Sequence, residues 1–217
     1  MKIKYLNIWV VALAVGFCLA SCNTGSKSTE YEGEAATEAV ESMAPALSGN
    51  LSLDTENSLV KWKGEMMGMY AHEGTLKFSE GTITMTDGEV TGGTFVVDMT
   101  SLTPTDENFN PEEGKTKEKL VGHLSSDDFF AVESNPTASF TIAGVSGGTA
   151  AGTLNIRGKE GAESVEGVSV STDGDAVTVN GTLKFDRKNY DVAFNHPMRE
   201  MIISDNVQLD IELIASK

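Results

Sequence analysis

The residue types best suited to chemistry crowd between Leu120 and Phe130, in LVGHLSSDDFF. His123, Ser125, Ser126, Asp127 and Asp128 are the parts of a hydrolytic triad: a hydroxyl nucleophile, an imidazole base and an orienting carboxylate. Triad side chains converge in space from separated positions, so neighbours in sequence are poorly placed to form one. Ser125, Ser126 or either aspartate can instead cap a turn of helix by accepting a backbone N–H. His123, on an apolar helical face, reads as a hydrogen-bonded core residue. Gly144–Gly148, GVSGG, matches G-x-S-x-G. That motif makes a nucleophile only where a strand runs into a helix. Here TAAGTLNI follows and reads as another strand, so Gly147 and Gly148 mark a hairpin. His72, His123 and His196 show neither H-x-H nor H-x-x-x-H spacing. The enzymatic alternative is a hydrolase or metal-dependent site assembled by folding from His72, Asp98, His123 and Asp128.

The elements around these residues follow a two-residue period from Leu51 to Lys217, a length that suits one domain. In NVQLDIELIAS, Val207, Leu209, Ile211 and Leu213 share a face. Val177, Val179, Gly181, Leu183 and Phe185 do likewise, as do Ala138, Phe140 and Ile142, and Val60 with Trp62. Further strands are expected near 74–78, 82–85, 89–99, 152–157 and 163–170. TDG at Thr86–Gly88 and at Thr172–Gly174 marks hairpins, because glycine accepts positive φ without steric cost. About eight short antiparallel strands point to a barrel or a sandwich. Asn110–Leu124 breaks the period. Pro111 suits a first helical turn, Glu112 and Glu113 suit its positive end, and Leu120, His123 and Leu124 share a face, so one short helix is expected there. On Glu89–Met99, Val90 and Val96 fall on one face and Phe95, Val97 and Met99 on the other. A strand apolar on both faces fits a wall around an apolar interior, filled by side chains or by a ligand. Gly92, Gly93 and Gly181 permit strong bending of such a wall.

The first residues address the compartment. Lys2 and Lys4 precede an apolar run, Ile8–Leu19, too short to span a bilayer. LASC, Leu19–Cys22, then has the form of a bacterial lipobox. Residues 1–21 are therefore expected to be a lipoprotein signal peptide, with Cys22 the lipidated N-terminus of the mature chain. Asn23–Asn50 is polar and reads as a flexible tether, with the folded domain at 51–217. Asn23 is not an inner-membrane retention aspartate, so the expected location is the bacterial envelope, lipid-anchored in the outer membrane. Cys18 lies in the leader and Cys22 carries lipid, which leaves no thiol for a disulfide or a cysteine metal site. The net charge of -16 disfavours nucleic acid and anionic head groups as partners.

An ordered set of segments resembles the YceI-like family of bacterial envelope proteins: VKWKG (Val60–Gly64), HEG (His72–Gly74), GGTFVVDMTSL (Gly92–Leu102), Asp106, LVGHLSSDDFFAVESNPTASF (Leu120–Phe140), GTLNIRG (Gly152–Gly158), FDRKNYDV (Phe185–Val192) and ISDNVQLDIEL (Ile203–Leu213). The resemblance implies an all-β fold with one short helix, an extended antiparallel, lipocalin-like barrel. It implies no enzymatic activity and no cofactor, but a long apolar ligand inside the barrel, a polyisoprenoid or an isoprenoid quinone. Candidate cavity-lining residues are then Trp62, Phe78, Phe95, Val97, Phe140, Ile142, Leu154, Leu183 and Phe185. Arg157, Arg187 and Lys188 are head-group candidates, with solvated surface charge as their competing reading. KEGAESVEG, Lys159–Gly167, departs from the family by its polarity, which puts strand pairing there in doubt. A homodimer is a further expected partner, and a stress-related module with a filled core is the third functional reading.

Overall fold

The computed structural model describes residues 46–194 and 202–217. The expected signal peptide, Cys22, most of the expected tether and His196 lie outside them. Nine strands form one antiparallel sheet: β1 (Gly49–Leu53), β2 (Leu59–Met66), β3 (Tyr70–Thr86), β4 (Glu89–Pro104), β5 (Thr137–Ser146), β6 (Thr149–Ile156), β7 (Lys159–Asp173), β8 (Ala176–Asp186) and β9 (Ile203–Ser216). Pairing of β3 with β4 closes β2 to β9 into an eight-strand barrel. Closure brings the apolar face of every strand to one interior and leaves few strand edges.

β1 and β2 fill a single slot. β1 lies against Thr82–Met85 of β3 and the last residues of β9, whereas β2 lies against Tyr70–Lys77 of β3 and the earlier part of β9. They are one strand broken at Asp54–Ser58. The Asp54 carboxylate accepts the N–H groups of Glu56 and Asn57 across the break. The Ser58 hydroxyl accepts from Ile214 N–H at 2.8 Å and ties the strand back to β9.

The hairpins form where the turn residues place them. Asp87 and Gly88 (φ 51° and 83°) join β3 to β4, and Gly147 and Gly148 (φ 57° and 76°) join β5 to β6. Both are two-residue turns with positive φ throughout, the twist that antiparallel strands favour. Ser146 therefore ends a strand that runs into a strand, not a nucleophile elbow. In the second TDG the turn is Gly174–Asp175, since Asp173 already pairs with Ala176.

Three expectations are corrected. The segment 110–124 is not one helix. A 3-10 turn, Pro111–Glu113, stops at Gly114, whose φ is 71°. Helix α1, Lys117–Ser125, then starts afresh, with the Thr116 hydroxyl accepting from Lys119 N–H. The polar stretch Lys159–Val165 does pair, residue by residue, with Ile156–Ala150 of β6. Backbone bonds need no apolar side chains, and the buried Tyr190 ring supplies apolar cover by lying over Gly161. On β4, Met85 faces Val90 while Thr84 faces Gly92, so Thr91 is an extra residue. That bulge turns Val90 inward beside Phe95, which leaves Val96 alone on the outer face. The strand is therefore not apolar on both sides.

Leu51, Ile83, Met85, Val177 and Ala215, all almost fully buried, seal one end of the barrel. At the other end lie α1, the β2–β3 turn at Met67–Met69, and the connection that follows β8. This second end carries most of the polar residues that line the interior, Glu65, Tyr70, His72, His123, Arg187 and Ser204 among them.

Candidate functional site: an apolar barrel cavity

Between the sealed end and α1 runs a cavity of about 340 Å³. Every strand from β2 to β9 contributes to its wall. All nine residues named from periodicity and resemblance line it: Trp62, Phe78, Phe95, Val97, Phe140, Ile142, Leu154, Leu183 and Phe185. Val207, Leu209, Ile211 and Leu213 add one inner face of β9, and Val179 begins the matching face of β8. Six residue rises along each of these strands make the lined length roughly 20 Å. A long, narrow, apolar space suits a linear apolar molecule.

Glycines make room for the wall's rings. A Cβ on Gly74 would overlap the Trp62 indole and the Thr103 carbonyl, and one on Gly152 would overlap the Phe140 ring and the Thr141 carbonyl. Each ring thus lies across a neighbouring strand at a glycine. The Trp62 Nε1–H is buried and has no hydrogen-bond partner among the described residues, a feature that nothing in the wall explains.

LVGHLSSDDFF forms the floor. Leu120, His123, Leu124, Phe129 and Phe130 all border the cavity. His123 makes no local hydrogen bond with its ring. The imidazole instead meets Phe194 edge-on at 4.5 Å and Phe129 at 5.3 Å between centroids. Ser126, not an aspartate, closes the helix: its hydroxyl donates to the His123 carbonyl at 2.7 Å. Asp127 and Asp128 are exposed.

The enzymatic set is not assembled. His72 pairs through Nδ1 with Asp106 at 3.1 Å, Asp98 accepts from Thr100, and Asp128 faces solvent. No group of three or more His, Cys, Asp or Glu side chains among the described residues is arranged to hold a metal ion. Asp106 is itself well held. Burial opposes its ionisation, but the N–H groups of Glu73 and Asn108 and the His72 ring outweigh that and keep its carboxyl below the usual range.

The three basic candidates differ from one another. Arg187 is 1% exposed and reaches the cavity wall. Its guanidinium donates to the carbonyls of Ser204, Val192 and Phe194 and to the Asp205 carboxylate. It is thus a buried clamp on the chain after β8, not a solvated surface charge. Arg157 donates to the Phe129 and Asp191 carbonyls and does not line the cavity. Lys188 is half-exposed and paired with Asp205 at 2.8 Å. Its hydrogen bond is the main cause holding the Asp205 carboxyl below the ordinary value.

Sequence reasoning places His72 in the enzymatic set and in the HEG segment, and does not reach Tyr70, Met66, Phe194 and Ser204 at the α1 end. Met66 and Tyr70 flank the β2–β3 turn, where alternation ends, and Phe194 and Ser204 belong to the connection between β8 and β9 and its entry into β9. Periodicity carries no signal at such positions.

A closed antiparallel barrel around an apolar cavity, floored by a short helix, defines a lipocalin-like barrel. The chain belongs to the YceI-like domain family, whose model matches residues 51–215. Among solved structures it is similar to BcnA of Burkholderia cenocepacia, at 22% identity and a TM-score of 0.62, over 76% of this chain and 99% of that one. It is also similar to a polyisoprenoid binding domain from Saccharophagus degradans implicated in plant cell wall breakdown, at 16% identity and a TM-score of 0.49, over 76% and 97% of the two chains. The likeness to BcnA shows the same fold. A search of curated proteins gives no match.

Proposed function

We propose that this protein binds a long apolar lipid, a polyisoprenoid or an isoprenoid quinone, inside its barrel, and that it stores or carries that lipid at the bacterial envelope. The observation that carries this reading is the continuous apolar wall from Val60 to Leu213. Burial of apolar area contributes about 25 cal/mol per Å², so a long hydrocarbon needs no catalytic or charged partner to be held there. Membership of the YceI-like family supports binding in preference to catalysis. Anchoring through a lipid on Cys22 belongs to the same proposal and rests on LASC and the polar tether. It would keep the barrel beside the membrane that holds its ligand.

Leu209 tests the reading. It is half-buried and projects from β9 into the cavity. Leu209→Trp is expected to fill that space, leave the far-UV circular dichroism unchanged, and weaken binding of a fluorescent polyprenyl analogue at least tenfold. Unchanged binding in a folded variant would place the ligand elsewhere.

A further inference from the structure

The polar residues of the cavity wall are not scattered. Glu65, Tyr70, His72, His123, Arg187 and Ser204 sit at the α1 end, with only Ser139 on β5 and Asn180 on β8 outside that group, and the opposite end is closed by Leu51, Ile83, Met85, Val177 and Ala215. An amphiphile therefore enters with its tail toward the sealed end and its polar terminus near α1. Two of these groups are already answered or lack polar support. Arg187 directs its guanidinium to three carbonyls and a carboxylate. His123 is enclosed by aromatic edges.

His72 is different. Its ring is stacked on Phe109 at 5.0 Å and met edge-on by Tyr70 at 5.2 Å. Nδ1 lies 3.1 and 3.2 Å from the two oxygens of Asp106, a residue that does not line the cavity. Asp106 is fixed in turn by the N–H groups of Glu73 at 3.0 Å and Asn108 at 2.9 Å. An ionised carboxylate only accepts, so Nδ1 must carry the hydrogen. The neutral ring then presents Nε2 as an acceptor, with no hydrogen-bond partner among the described residues. His72 lines the cavity, and a ring stacked on Phe109, met by Tyr70 and held at one nitrogen presents that acceptor in a fixed direction, as a preorganised polar contact in an apolar pocket does.

Resting on the lipid-binding reading, we infer that His72 Nε2 recognises the hydroxyl terminus of the bound lipid: the ligand is an isoprenoid alcohol or quinol, whose O–H donates to the imidazole. An ether or a plain hydrocarbon of the same length has no hydrogen to give and leaves Nε2 desolvated without a partner.

The test compares geranylgeraniol with its methyl ether on the purified full chain at about pH 8, where an ordinary imidazole is neutral. The alcohol is expected to bind about tenfold more tightly, the usual size of one buried hydrogen bond. His72→Phe keeps an aromatic ring for Phe109 and Tyr70 and should bind both compounds equally, near the affinity of the ether. Equal binding by the unaltered protein, or a preference that survives His72→Phe, overturns the inference and leaves the cavity reading intact. Binding of neither compound overturns both. Nitrogen-15 spectra of the unaltered protein give a readout that does not depend on a variant's folding. The alcohol should move the Nε2 resonance of His72 and leave Nδ1 nearly still, and an unmoved Nε2 rejects the contact.

Discussion

Arg187 shows how far a side chain's type can mislead about its role. As one of a pair of basic residues in FDRKNYDV it resembles a head-group ligand or a surface charge, yet its guanidinium is buried and turned onto the backbone. Arg187→Met leaves buried carbonyls of Ser204, Val192 and Phe194 without donors. It is expected to lower stability by about 3 kcal/mol, read from urea unfolding, and a loss under about 0.5 kcal/mol would contradict the clamp. Asp106 gives a prediction with a sign. Its folded carboxyl titrates below the ordinary value, first against the opposing effect of burial and then through the Glu73, Asn108 and His72 contacts. Its stabilisation is therefore complete above the ordinary carboxylate pKa of about 3.9 and is lost as pH falls through the lowered folded value. Asp106→Asn should reduce stability at neutral pH by about 1 kcal/mol and flatten the acid limb of the stability profile. An unchanged acid limb would show that Asp106 is not a titrating contributor.

At the scale of elements, glycines and rings are matched across strands. Gly152 of β6 carries the Phe140 ring of β5, and Gly74 of β3 carries the Trp62 ring of β2. Gly152→Val is expected to cost more than 2 kcal/mol, because the new Cβ would meet both a ring and a carbonyl. Gly144 has open space at its Cβ position, so Gly144→Ala at the far end of β5 should be within about 0.5 kcal/mol of neutral. Similar losses at the two sites would remove the argument. These pairings explain what sequence reading could and could not reach. Strict alternation on β8 and β9 groups Val179 with Leu183 and Val207 with Leu209 on one face each, and the structure turns both faces inward. The β4 bulge defeated the same reasoning, since one extra residue at Thr91 inverts the faces before it. The pairing of the polar β7 is hard to read from sequence because the Tyr190 ring that covers Gly161 lies about thirty residues further on. The His72–Asp106 pair spans 34 positions, a separation at which residue spacing is silent, although both residues fall in the segments that carry the family resemblance.

The whole molecule divides one tube into two chemically unlike ends. The β1–β2 slot, the tight hairpins and the small buried residues close one end, whereas α1 and the chain after β8 gather polar groups at the other. Met67, Met69 and Ile202, more than half exposed, lie at that same end. Such an architecture suits a water-insoluble chain with one polar terminus, and LVGHLSSDDFF forms the cavity floor. The most direct measurement is mass spectrometry of an organic-solvent extract from protein purified out of its own host. The account predicts a long-chain isoprenoid lipid at close to one molecule per chain, strongly reduced in Leu209→Trp. An extract without such a lipid, from folded protein, would contradict it.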